Sequence, residues 1–134
     1  MAHQLFPDKG NFLTPAEVVD RLTRAFRFVR VDEQAGRLAA LKKAAWMERE
    51  PPAGFPRSPE SEAQAKAYAS RLRGAKPGET LSVDLGDDEN DLRSIYVYPD
   101  AAILMSYESD EVQQAWTARA ARCARVLGYV LVVV

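Results

Sequence analysis

Residues 129–134 read Tyr-Val-Leu-Val-Val-Val, a strand apolar on both faces. Such a strand needs cover on both sides, which a layered sheet provides. Left as an exposed edge, a ribbon of this composition would template pairing with other chains. Three covers offer themselves: residues 26–31 as a further strand, the N-terminal helices, or a second copy of the chain.

The residues before that strand say what kind of sheet it joins. Leu81, Val83 and Leu85 alternate with Thr80, Ser82 and Asp84, the period of a strand with one wet face. An acidic connector, residues 86–91, leads to a second strand over 93–98. Pro99-Asp100 fits the centre of a type I turn into a third strand over 103–107. Ser109 or Asp110 caps a helix that Gly128 stops, and the terminal strand follows.

Upstream the chain is helical. Thr14-Pro15-Ala16-Glu17 supplies an N-cap, a proline at the first helical position and a capping box. Val18, Leu22, Phe26 and Val29 make one stripe, so the helix is predicted to about Val29, although residues 26–31 also suit a short strand. A second helix is expected over 32–50, with Gly36 weakening its start and Pro51-Pro52 ending it. A stiff proline-rich connector over 51–59 precedes a third helix, from Ser58 to about Gly74, whose thin apolar face places it at the periphery.

The fold expected is α+β: a mostly antiparallel sheet of four strands, or five if residues 26–31 join, ending in a β-α-β unit. The last helix covers one face, and two or three N-terminal helices cover the other face or one end. All 134 residues are read as one domain, with an arm over 1–13, a helical part over 14–75 and a sheet-plus-helix part over 76–134.

Composition then narrows the chemistry. Apolar residues make up 47% and charged residues 28%, the profile of a globular chain, and the net charge of −1 gives no long-range attraction to nucleic acid or anionic membranes. Cys123 and His3 are the only residues of their types, and His3 is expected in a frayed arm. Zinc sites of the Cys/His kinds and His-based triads therefore have no residues to build them within one chain. No cofactor is implied. Residues 1–13 lack a secretory apolar core, and 127–134 fall well short of the roughly 20 residues that span a bilayer. Abundant Ala and Arg suit a GC-rich bacterial gene, and a cytoplasmic protein is expected.

Several constellations remain. On the second helix Leu38, Leu41 and Ala45 share one face, with Ala44 and Ala40 extending it, while Trp46 falls among Lys42, Lys43 and Arg49. An aromatic ringed by cations suits a protein partner or a nucleic-acid base. Tyr96 and Tyr98 share one face of their strand and, with a neighbour such as Leu104, would make an aromatic platform. Arg119 projects beside the apolar stripe of the last helix, and a buried arginine needs a carboxylate or several carbonyls. It either reaches solvent or, with Asp84 as partner or base, holds an anion over the sheet. Asp84, Asp87, Asp88, Glu89 and Asp91 offer hard oxygens without EF-hand spacing, and a solvated loop explains them. Pro56-Arg57-Ser58-Pro59 formally fits a PxxP ligand.

The function expected is a non-catalytic protein-binding module, a regulator, adaptor or immunity-type protein, using Trp46, Lys42, Lys43, Arg49, Tyr96 and Tyr98. A homodimer through the C-terminal strand is a further expectation. The alternative is a small-ligand domain or histidine-independent enzyme with an anion pocket at Arg119 and Asp84. The third reading is weak nucleic-acid binding through Arg21, Arg24, Lys42, Lys43 and Trp46.

Overall fold

A computed structural model describes residues 2–9, 12–49, 58–100, 102–106 and 110–133. It is α+β, with elements in the order β1 (Ala2–Pro7), α1 (Pro15–Ala25), β2 (Phe28–Asp32), α2 (Glu33–Glu48), α3 (Pro59–Arg73), β3 (Leu81–Gly86), β4 (Arg93–Val97), β5 (Ile103–Ser106), α4 (Asp110–Leu127) and β6 (Tyr129–Val133). The six strands form one sheet in the order β2-β3-β4-β5-β1-β6, antiparallel at every pairing.

One strand, β1, exceeds the expected count, and the optional fifth strand, β2, forms. The arm is not frayed: residues 2–7 form β1, inserted between β5 and β6 in the register Leu5↔Ile103 and Leu5↔Leu131. His3 and Leu5, two apart and so on one face, are both fully buried. The C-terminal β-α-β unit is therefore split, since β5 and β6 run parallel to each other with β1 between them. Residues 28–32 form β2, but on β3 at the far edge, where it gives β6 no cover. Among the described residues, β6 pairs with β1 alone and its outer edge is open.

The helices sit on both faces. The capping box forms as the sequence dictates, Glu17 N–H donating to Thr14 Oγ1 at 3.1 Å and Thr14 N–H to Glu17 Oε1 at 3.1 Å. α1 stops at Ala25, short of Val29, because Phe26 turns extended to enter β2. Val18, Leu22 and Phe26 join Trp116, Ala120, Cys123 and Leu127 of α4 over Val83, Leu85, Ile95 and Val97. Thus α1 shares the face of α4, and among the described residues α2 and α3 occupy the opposite one. Full burial of each large apolar side chain here contributes about 1.5–3 kcal/mol.

α2 runs unbroken through Gly36, and its buried stripe is Gly36, Ala40 and Ala44; Leu38 is 56% exposed and Ala45 is also exposed. Of the expected face only its extending residues Ala40 and Ala44 are buried, because small residues at i, i+4 and i+8 let the helix backbone descend onto its neighbours. A Cβ on Gly36 would lie 2.5 Å from the Leu81 Cα and 2.5 Å from the Thr80 carbonyl oxygen. α3 packs on α2 through Ala69, Leu72 and Tyr68. Arg37 donates to the terminal α3 carbonyls of Leu72 (2.9 Å) and Arg73 (2.7 Å), and Arg73 forks onto Glu48 at 2.8 and 2.9 Å. The proline-rich connector and the first half of the PxxP match lie outside the described residues. Among the described residues, no helix is long and apolar enough to cross a membrane.

Candidate functional site

α2 packs on β3 and β4, and leaves the same face of β5, β1 and β6 without a helix among the described residues. Cross-strand register sets the side chains of that bare face in rows. Tyr96, Leu104, Gln4 and Val132 stand side by side across β4, β5, β1 and β6, and Phe6 stands beside Val130. Between this floor and α2 runs a groove of about 670 Å³, walled by Ala35, Leu38, Ala39, Lys42, Lys43 and Trp46 and floored by Gln4, Tyr96, Tyr98 and Leu104. A second hollow of about 290 Å³ continues it past Phe6, Met47 and Tyr68, sharing Gln4, Lys43, Trp46, Tyr98 and Leu104.

The helical period explains the wall. Ala35, Leu38/Ala39, Lys42 and Trp46 recur at i, i+3/i+4, i+7 and i+11, a face distinct from the Gly36-Ala40-Ala44 stripe that fixes α2 in place. Trp46 is 62% exposed, so a large aromatic stands at the groove mouth instead of in a core. Phe6 and Leu38 are exposed beside it.

Lys43 gives the groove its charge. Its Nζ lies 4.3 Å from the Tyr98 ring centroid and 5.7 Å from that of Tyr68, a cation held between two aromatic faces. Desolvation lowers its pKa, and the Asp100 carboxylate partly opposes that shift. The same burial raises the Tyr98 phenol and lifts that of Tyr68 to about 12, so both hydroxyls remain protonated donors at neutral pH.

Of the residues named from sequence, Trp46, Lys42, Lys43, Tyr96 and Tyr98 line this groove together, while Arg49, the exposed C-cap of α2, is not among its lining residues. Gln4, Phe6, Ala35, Leu38 and Ala39 escaped the sequence reading. The signal for Leu38 was present in the small-residue stripe, which turns Leu38 away from the sheet.

Arg119 and Asp84 are not brought together. Arg119 lies on the α4 side, where it donates to the carbonyls of Leu85 (3.1 Å) and Asp91 (3.1 Å) and to the Asp91 carboxylate (3.0 Å). Asp84 alternates with the buried Leu85 and so faces the α2 side, accepting from the Ser94 hydroxyl. A sheet separates the two, and three of Arg119's N–H donors are held by the protein itself. The hollow beside it, about 400 Å³, is lined by Asp87, Asp88 and Asp91 as well as Arg119 and Arg122. The acidic loop is accordingly a clasp: Asp87 accepts from Arg122 and from the Arg27 N–H (3.1 Å), and Glu89 meets Arg30 at 3.2 Å. The Arg122 hydrogen bond, then the Arg27 N–H, holds the Asp87 pKa below its usual value. Among the described residues no cluster of three or more His, Cys, Asp or Glu is arranged to hold a metal ion. Burial pushes the Cys123 thiol up to about 12, which leaves it a poor nucleophile.

The nucleic-acid set is divided in the same way. Arg21, which donates to the Leu127 carbonyl at 3.4 Å, and Arg24, paired with Asp20 at 3.1 Å, belong to the α1 layer, whereas Lys42, Lys43 and Trp46 lie across the sheet. Comparison of the chain with protein-family models, curated proteins and solved structures found no match.

Proposed function

We propose that this chain is a non-catalytic, cytoplasmic protein-binding module that takes a partner in the groove between α2 and the open half of its sheet. The reading rests above all on Trp46. A tryptophan 62% exposed at the mouth of an apolar groove, with Phe6 and Leu38 exposed nearby, is the arrangement of an interface anchor awaiting its counterpart. Lys42 and Lys43 add polarity to one wall, and Tyr96 and Tyr98 offer rigid aromatic area at low entropic cost.

Alanine at Trp46 and Tyr96 tests the reading. The expected result is at least about a hundredfold loss of affinity for a captured partner, typical of two anchors at a hot spot. For Trp46→Ala alone, stability stays within about 0.5 kcal/mol of the parent because the ring is exposed. Undiminished capture by the double variant would refute the groove as the contact surface.

A further inference from the structure

The groove has dimensions and a charge, and both bear on what fills it. The bare half of the sheet consists of β5, β1 and β6, three strands that span about 10 Å at the usual spacing of roughly 4.8 Å. One α-helix with its side chains is about 10–12 Å across. β1, six residues long, runs about 20 Å, the length of a helix of about 13 residues. The strip beside α2 that carries no helix among the described residues is thus the size of one further helix, laid where a second helix of that layer would go.

Its chemistry is lopsided. Leu104, Tyr96 and Phe6 make the floor largely apolar around Gln4, whereas the α2 wall carries Lys42 and Lys43, and among the described residues no carboxylate lines the groove. Asp100, in the turn after β4, is the carboxylate acting on Lys43, and Lys42 is exposed. A buried partner must bring apolar side chains to the floor and negative charge to the wall, since leaving a lysine desolvated and unpaired is costly.

Building on the proposed protein-binding role, we infer that the occupant is an acidic amphipathic helix of a partner protein, its apolar stripe on β5-β1-β6 and its Asp or Glu residues along the flank that faces Lys42 and Lys43. The mode is helix-in-groove recognition, read through anchors at i, i+3/i+4 and i+7. A neutral or basic helix of the same apolar pattern meets the floor but leaves the lysines unmatched.

Stapled helical peptides of about 13 residues test this, titrated against the full chain by calorimetry and by the emission of Trp46, with Trp46→Phe to subtract the buried Trp116. One peptide carries leucines at i, i+3 and i+7 with a glutamate flank. The second carries the same leucines with a lysine flank, the third has the leucines changed to serine, and the fourth is an unstapled, proline-containing extended version. Expected are binding by the first, roughly tenfold weaker binding by the second, none by the third, and loss of the charge preference in Lys42→Glu, which leaves one positive and one negative charge on the wall and whose exposed site keeps the fold. Equal affinity for acidic and basic helices would overturn the charge assignment, and tighter binding of the extended peptide would overturn the helix, both leaving the groove as the binding surface. Self-association that shields Trp46 would award the groove to a second copy and overturn the inference. If no peptide binds and Trp46 stays solvent-exposed at every concentration, this inference and the protein-binding reading fall together.

Discussion

Gly36 sets how close α2 can come to the sheet, and so where the groove wall stands. Helix propensity alone says that Gly36→Ala should stabilise the chain by about 1 kcal/mol. The 2.5 Å approach to backbone atoms of Leu81 and Thr80 says the opposite, because no flexible side chain can yield there. The expected outcome is a loss of about 1–3 kcal/mol in urea unfolding, with weaker partner binding as α2 lifts. A gain in stability would show that the contact is looser than drawn. His3 supplies a second residue-scale prediction. Desolvation lowers its pKa from the usual 6.5, so the folded chain favours the neutral ring. Above about pH 6.5 neither state is protonated. As pH falls through that value the unfolded chain binds the proton first, and stability declines until the folded value is passed, where the loss levels off. His3→Leu should remove this component, so the difference in unfolding free energy between variant and parent should change from pH 7 to pH 5. A parallel pair of pH profiles would contradict it. Asp87 acts in a different window: its pKa is lowered, so its contribution is present above about 3.9 and is lost as the pH falls through its folded value.

Among elements, α4 is locked to the β3–β4 loop by Arg119 and Arg122. Replacing Arg119 by alanine leaves the carbonyls of Leu85 and Asp91 without their donor and removes the stack on Trp116, whose ring centre lies 5.5 Å from the guanidinium. A cost of about 1–3 kcal/mol is expected, with the groove across the sheet unaffected. Loss of peptide binding alongside stability would mean the two faces are coupled. The elements that sequence revealed most clearly carry local signals. Thr14, Pro15 and Glu17 announce α1 by chemistry confined to one turn, and Leu81, Val83 and Leu85 announce β3 by strict alternation. β1 was hidden because Ala2–Pro7 offers no such contrast: His3 and Leu5 face one layer, Gln4 and Phe6 the other, and a closing proline argues for a loop. The phase of α2 was hidden because its large residues do not face the core. Leu38 and Trp46 line the groove while glycine and alanine make the contacts, so hydrophobic size pointed the wrong way.

For the whole molecule, the two sheet edges differ. β2 carries Arg30 and Asp32 at its edge, charges that discourage pairing with another chain. β6 has no charge, and its Val133, across from His3, is 50% exposed. Concentration-dependent self-association through β6 is expected, and Val133→Lys should reduce it, as followed by light scattering, without lowering the unfolding midpoint by more than about 2 °C. Identical scattering from both proteins would show that β6 is not the adhesive edge. The groove depends on the same global arrangement that sequence could not reveal, for its floor joins Gln4 to Leu104 and its wall comes from residues 35–46.

The insertion of β1 between β5 and β6 also imposes an order of assembly. The hairpins of β3, β4 and β5 close short loops and can form early, whereas β1 must find strands about a hundred residues away, a search that slows folding. Gln4 and Phe6 belong to that strand, so a chain that had not yet placed β1 would have α2 and its tryptophan but no finished groove floor. On the proposed reading, recognition would thereby be reserved for molecules that have completed their sheet, and a bound partner would act as a certificate of maturity.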